Sequence, residues 1–276
     1  MNRKLFFRIL IVGVGGTGGL LANFLCKSLA GTDNVDIALV DADVVEKKNL
    51  LRQPYTLQDI GENKAMALAG ALTDVYGLNV RAFSAYVESA KDIENFFYRG
   101  TFISGYDNCV NILCGCVDNH AARKCMHDFF DEKNCYSRDP LLYVDSGNEF
   151  SYGEVVYAVK EKYGKILSPD KLYYFPDLFD GDMTPRSQES CEVLNDSAPQ
   201  HLATNMLAAN IMLSGILGLI QNGVMPSGMV TFDSGISGGG FRVKQIPYAP
   251  VPEKDEKQEK GGKKNGKTRK TEKKPA

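Results

Sequence analysis

The sequence predicts an α/β fold with a doubly wound, largely parallel sheet, a C-terminal antiparallel hairpin and a disordered tail. Three observations carry that reading. Apolar runs of strand length alternate with segments of helical length up to about residue 160, the pattern of parallel strands joined by crossover helices. The first run, Leu5–Val12, is almost continuously apolar, as in a strand covered on both faces, and it ends at the glycines Gly13-Val14-Gly15-Gly16-Thr17-Gly18. From Pro250 onward Lys, Glu and Gly dominate, and such a segment cannot bury enough apolar surface to fold.

The elements follow in order. Gly16–Ala30 reads as a helix and Val35–Val40 as a second buried strand, ending at Asp41. Glu62–Tyr76 carries Ala and Leu on one side and is a helix. Val80–Val87 is a strand and Ala90–Tyr98 a short helix. Ile112–Val117 is a buried strand, followed by the helix His120–Glu132 and the strands Leu141–Val144 and Glu154–Val159. This alternation is Rossmann-like. Residues 164–199 then carry Pro169, Pro176, Pro185 and Pro199 with little periodicity and read as one long loop, a kind usually functional or disordered. Gln200–Gln221 is an apolar helix and Met229–Ile246 a glycine-broken hairpin. The organisation expected is one nucleotide-binding domain over residues 1–250 and a disordered Lys/Glu-rich tail over 251–276.

Composition excludes several classes. The 276 residues carry a net charge of −2, but residues 253–276 hold ten Lys/Arg against five Asp/Glu, leaving 22 against 29 in the rest. An acidic body has no global attraction to nucleic acid or anionic membranes. Seven cysteines, an odd number, with no secretory signal, point to reduced thiols in a cytoplasm. The apolar stretch Met206–Ile220, interrupted by Asn210 and Ser214, is too short to span a bilayer. A soluble cytoplasmic protein is expected.

Gly13-Val14-Gly15-Gly16-Thr17-Gly18 is a G-x-G-x-x-G between strand and helix, where backbone N–H groups can approach phosphates and the helix N-terminus favours anions. Asp41 follows Gly18 by 23 residues, at the end of the second strand, where an acid accepts from a ribose hydroxyl. These two features suit a nicotinamide oxidoreductase as well as an ATP enzyme. The next stretch separates them: Asp41-Ala42-Asp43 leads to Asn49-Leu50-Leu51-Arg52-Gln53, then Gly61-Glu62-Asn63-Lys64. Hydride transfer develops no charge on a pyrophosphate, whereas adenylation does, and Arg52, Lys64 and Mg²⁺ could neutralise it. Taken singly, either basic residue also reads as a solvated surface charge.

D-x-D-x-V-x-x-x-N-L-x-R-Q followed by G-x-x-K resembles the ThiF/MoeB/HesA proteins and the ubiquitin-activating enzymes. Asp118-Asn119-His120-Ala121-Ala122-Arg123 is similar to the family's D-N-x-x-x-R at a strand end, and Asp145-Ser146-Gly147 with Gly153-Glu154-Val155 to a weaker stretch. The resemblance covers about residues 5–220 and comes closest to compact bacterial ThiF-like proteins, including those of PRTRC-type gene clusters, where a ubiquitin-like substrate and a JAB-type peptidase are neighbours. It implies that Gly13, Gly15, Gly16, Gly18, Asp41 and Asp43 hold the nucleotide. Asn49, Arg52, Gln53, Lys64 and Asn119 would face it, and Asp118 would hold magnesium. The activity implied is ATP-dependent adenylation of the C-terminal carboxylate of a ubiquitin-like or sulfur-carrier protein, by a homodimer to whose interface Gln200–Gln221 contributes. A non-catalytic scaffold that binds nucleotide or carrier is the alternative within the family.

The sequence departs from the pattern twice. The segment before Leu5 holds Arg3 but nothing comparable to the relatives' N-terminal extension, whose arginine reaches the other subunit's ATP. Cys114-Gly115-Cys116 lies on a buried strand with no second C-x-x-C pair, so its cysteines read as small core residues and no zinc is expected. Cys191, in the long loop, resembles the cysteine that joins covalently to the carrier in thiamine-type relatives; the adjacent Glu189 and Glu192 disfavour its thiolate. His120, His127 and His201 show no metal spacing.

Overall fold

The computed structural model describes residues 5–100, 106, 108–131, 139–188 and 200–248. Strands β1 (Leu5–Val12), β2 (Val35–Val40), β3 (Val80–Phe83), β4 (Asn108–Gly115) and β5 (Leu141–Asn148) form a parallel half-sheet in the order β3-β2-β1-β4-β5. It continues antiparallel through β6 (Tyr152–Lys160), β8 (Gly228–Asp233) and β9 (Arg242–Ile246), while β7 (Ile166–Ser168) also pairs with β6.

Strand alternation sends one apolar set to each face, and helices cover both. Ile9, Ile11, Ile37 and Leu39 pack with Leu21 and Leu25 of α1 (Gly16–Leu29) and Leu68 and Leu72 of α2 (Lys64–Tyr76). Met212 and Ile216 of the long helix Leu202–Asn222 complete that layer. The intervening residues Leu10, Val12, Ala38 and Val40 meet Ile93 and Phe97 of α3 (Ala90–Tyr98) and Met126, Phe129 and Phe130 of α4 (His120–Asp131). A short helix, α5 (Lys171–Tyr174), follows β7; Leu202–Asn222 is α6.

Several boundaries differ from the sequence expectation. The antiparallel part is four strands wide rather than a C-terminal hairpin alone, because β5 and β6 run on to Asn148 and back from Tyr152. The Ser-Gly-Asn and Tyr-Gly clusters look like turn residues, yet they extend the ladder. A Cβ on Gly153 would come within 2.4 Å of the Gly147 carbonyl, so glycine permits that approach. Residues 164–199 are not one loop: they hold β7, α5 and a 3₁₀ turn at Arg186–Gln188, with 189–199 outside the described residues. The tail, 251–276, also lies outside them.

Helix α6 has 21 residues and by length and composition could cross a bilayer, longer than the stretch read from sequence. One of its faces packs into the core, while Leu202, Met206, Asn210 and Ser214 on another are exposed. Thr204 and Asn205 are wholly buried, and its Gly215 admits the Tyr157 ring of β6, which a Cβ would meet at 2.4 Å.

The C-terminal ends of β4 and β5 are tied together by a buried ion pair. Arg123 Nε donates to Asp145 Oδ2 at 2.9 Å, and Nη2 donates to the carbonyls of Val117 at 2.8 Å and Ser146 at 3.2 Å. Lys171 Nζ reaches Glu154 at 2.6 Å and Asp145 at 3.5 Å. Removing one partner of such a cluster leaves an uncompensated buried charge. Arg123→Ala is therefore expected to cost about 3–5 kcal/mol in urea-denaturation stability. A loss below about 1 kcal/mol would mean that the cluster does not hold the two strand ends.

Candidate functional site

In an open α/β sheet, ligands bind at the carboxyl ends of the strands where the strand order reverses. Here that point lies between β1 and β4, where the loops leaving them, residues 13–18 and 116–119, meet with Gly13 close against Cys116. By that rule a binding crevice lies just outside them.

Three of the four loop glycines are required by the chain's own packing. Gly13 has φ of 81°, a Cβ on Gly18 would lie 1.9 Å from the Gly13 carbonyl, and one on Gly16 would lie 2.0 Å from Asn205 Nδ2. Gly15 differs: a Cβ there would meet Gln53 Nε2 at 3.6 Å, an ordinary contact. No side chain caps α1 at Gly15, so its first backbone N–H groups and the positive end of its dipole are available to an anion.

Asp41 holds this loop to the next. Its Oδ2 accepts from Val14 N at 2.8 Å and its Oδ1 from Asp43 N at 2.9 Å. Each oxygen keeps a lone pair for a further donor such as a ribose hydroxyl. Burial raises the Asp41 carboxyl above the usual range, and the Lys64 ammonium opposes that rise. Asp43 behaves in the opposite sense. Burial opposes its ionisation too, but Lys64, hydrogen bonded at 3.0 Å, and Arg186 outweigh it, and its carboxyl lies below the usual range.

Local chemistry places Lys64. Asn63 caps α2, its Oδ1 accepting from Met66 N at 3.1 Å, while its Nδ2 donates to the carbonyls of Asp41 at 2.8 Å and Asp43 at 3.0 Å. Lys64 is thus the first helical residue, 7% exposed, with its ammonium on Asp43. Buried Tyr55 adds a stitch, its hydroxyl donating to the Val14 carbonyl at 2.7 Å.

The remaining expected residues divide. Gln53 lies against Gly15 and Pro54 against Gly19, so the segment carrying Arg52 covers the first turn of α1. Arg52 is half-buried and makes no side-chain hydrogen bond or ion pair among the described residues. Asn49 is 4% exposed, and its Oδ1 accepts from Glu46 N at 2.8 Å, closing the 3₁₀ turn Lys47–Leu51. Asn119, 9% exposed, accepts from Ala122 N at 3.0 Å as the first-turn cap of α4 and donates to the Thr184 carbonyl at 3.0 Å. The side-chain oxygens of both asparagines shape loops here. Asp118 is open, its side chain 59% exposed.

Two features escaped the sequence. Arg186 lies between the acidic groups of the crevice, 3.6 Å from Asp43 Oδ2 and 3.5 Å from Asp118 Oδ1. Nothing in its neighbourhood in sequence has a motif. Asn205 accepts from Asn148 Nδ2 at 2.8 Å and Thr17 Oγ1 at 3.4 Å, fixing α6 against the glycine loop. A wholly buried amide in an apolar helix was the available signal, but the conspicuous polar residue of that helix, Asn210, is exposed.

Cys191 lies outside the described residues. Among those described, burial raises the thiols of Cys26 (to about 12), Cys109, Cys114, Cys116 and Cys125, so none is primed as a nucleophile. His127 pairs with Asp170, and His201 Nδ1 accepts from Ala203 N at 3.1 Å. Among the described residues no three His, Cys, Asp or Glu side chains form a metal cage. A magnesium ion needs none, since it uses one or two carboxylates together with phosphate oxygens, and Asp118 is an open carboxylate at this edge.

A model of the ThiF family matches residues 2–235. Curated relatives include Ubiquitin-like modifier-activating enzyme 5 of Oryza sativa subsp. japonica, 26% identical over 129 residues, covering 46% of this chain and 30% of that protein. The same enzyme of Drosophila persimilis is 30% identical over 139 residues, 45% of this chain and 32% of that one. The matched part thus spans about a third of the relatives' length. Among solved structures, PaaA superposes with a TM-score of 0.56 at 19% identity, over 87% of this chain and 64% of that one. E. coli MccB crystallised with ATP gives 0.56 at 16%, over 91% and 65%.

The glycine geometry gives a direct test. Gly18→Ala is expected to lower the melting temperature by several degrees, because its Cβ collides with backbone. Gly15→Ala should lower it less and instead weaken ATP binding by tenfold or more, read by calorimetry. Equal effects of the two on ATP affinity would remove Gly15 from the ligand face.

Proposed function

The chain belongs to the ThiF family, and we propose that it uses ATP to adenylate the C-terminal carboxylate of a small ubiquitin-like or sulfur-carrier protein. The observation that carries this reading is the crevice itself. An uncapped helix N-terminus and an acidic anchor for a ribose lie beside two cations, Lys64 and Arg186, interleaved with two carboxylates, Asp43 and Asp118. A nicotinamide site has no use for that second set.

In the proposed reaction a carrier carboxylate oxygen attacks the α-phosphorus. The bond from that phosphorus to the bridging oxygen breaks, and pyrophosphate leaves with the electron pair. The backbone N–H groups at the start of α1 bind phosphate, and Asp41 accepts from the ribose. Lys64 and Arg52 meet the charge that grows on the leaving group. Asp118 would hold Mg²⁺, which supplies charge neutralisation on the triphosphate. Cys191 is the proposed acceptor in a second step, its thiolate attacking the acyl carbon and AMP departing. The neighbours support the coarse part of this reading, since MccB was crystallised with ATP and with MccA, and the curated relatives are named as activating enzymes.

ATP–pyrophosphate exchange with a candidate carrier ending in Gly-Gly tests it. Asp118→Ala should lower exchange on the order of 10³-fold while the open side chain leaves the fold intact. A folded variant exchanging at near wild-type rate would remove Asp118 from the site. Arg52→Ala should lower kcat and kcat/KM alike; a rise in KM for ATP alone would assign it to ground-state binding. Cys191→Ser should leave exchange within about twofold and abolish the ATP-dependent, reducible carrier adduct on gels. An unchanged adduct would place the thioester on another cysteine.

A further inference from the structure

We propose that Arg186 is a phosphate-binding residue of this site, supplied in cis, that exchanges its ion pairs with Asp43 and Asp118 for the β- and γ-phosphate oxygens of the nucleotide. This rests on the functional reading above and names a residue the sequence pattern does not assign.

The segment around Arg186 is built to hold it over the crevice. Asp182 Oδ1 accepts from Thr184 N at 2.9 Å and from Thr184 Oγ1 at 2.7 Å, closing a local turn. The Thr184 carbonyl accepts from Asn119 Nδ2 at 3.0 Å, which docks the segment on the residue following Asp118. Pro185 starts the 3₁₀ turn, with Gln188 N donating to its carbonyl at 2.8 Å, and Ser187 is hydrogen bonded to Glu88 beyond β3. Contacts at residues 184 and 187 therefore fix the chain on both sides of Arg186.

The charges then indicate what the guanidinium meets. Its side chain is 26% exposed, and among its contacts are Asp43 at 3.6 Å and Asp118 at 3.5 Å, both longer than an ordinary hydrogen bond. Asp43 already holds Lys64 at 3.0 Å, so Arg186 is its second cation, and Asp118 is more than half open to water. Loose pairs of this kind contribute little. A phosphate offers the guanidinium two parallel short hydrogen bonds, a stronger and planar match. The exchange also frees the Asp118 carboxylate, so the phosphates would draw the arginine away from the acid proposed above to hold a divalent cation. Binding of the triphosphate and of the cation at Asp118 become coupled through one side chain.

Calorimetric titration of the full chain with ATP and with AMP, in the presence of Mg²⁺, tests this. AMP carries the ribose and α-phosphate but lacks the β- and γ-phosphates. Arg186→Ala should weaken ATP binding about tenfold to a hundredfold and leave AMP within about twofold. Arg186→Lys, which keeps the charge without the fork, should lie between. Arg186→Gln, which keeps bulk and hydrogen bonding, should match Arg186→Ala if charge is what matters, and it replaces that variant if circular dichroism shows Ala to be misfolded. Unchanged ATP affinity overturns the proposal, and so does an equal loss for both nucleotides, which would make Arg186 a purely structural contact. Failure of the wild-type chain to bind ATP at all would instead overturn the functional reading and this inference with it.

Discussion

The geometry of the crevice depends on one carboxylate. Asp41 ends β2 and accepts one backbone N–H from the glycine loop and one from the strand's own continuation. Without it, Val14 N, in a residue that is wholly buried, would have no acceptor, and unpaired buried amides are costly. The same short segment gives its carbonyls to Asn63, which caps α2 and so delivers Lys64. The glycine loop, the Asp41 carboxylate and the buried Lys64 are therefore one mechanical unit. Burial raises the carboxyl of Asp41 while its neighbour Asp43 is held low by Lys64 and Arg186, so two acids two residues apart have opposite tendencies.

Two ionic clusters lie within this end of the molecule, and exposure tells them apart. Arg123, Asp145 and Lys171 are 5%, 2% and 5% exposed and are spent on holding strand ends. Lys64, Asp43, Arg186 and Asp118 range from 9% to 59% side-chain exposure, so the outer members of this cluster are far more open to solvent than the first three. Paired acids and bases of equal number keep the crevice from repelling itself, while a polyanion still finds cations it can recruit.

The fold was legible where the signal is local or periodic. Leu5–Val12 and Val35–Val40 were read to the residue, because strands covered on both faces show as nearly continuous apolar runs, broken here only by Arg8 and Asp36. The Gly13–Gly18 loop, Asp41, Asp43, Lys64 and Asp118 do gather at one crevice, as their motifs implied. Asn49 and Asn119 belong to the same motifs, yet their side-chain oxygens cap turns, and sequence letters cannot distinguish a capping amide from a ligand-facing one. The β5–β6 extension was hidden because Gly147 and Gly153 serve a close strand approach that mimics turn composition. Arg186 was out of reach for a different reason: its place depends on contacts to Asn119 and Glu88, far away in the chain, and no period or spacing records them.

The central place of β1 bears on how the chain is made. Its two neighbours arrive at very different times during synthesis: β2 begins at Val35, whereas β4 pairs across a separation of 103 residues. Until Asn108–Gly115 leaves the ribosome, β1 offers a bare edge of backbone donors and acceptors, and its buried residues Phe6, Phe7, Ile9, Leu10, Ile11 and Val12 have incomplete cover. An unpaired apolar edge is a template for other chains. A central strand of the finished protein is thus an exposed edge in the nascent one, and the yield of folded protein should fall the longer that edge waits.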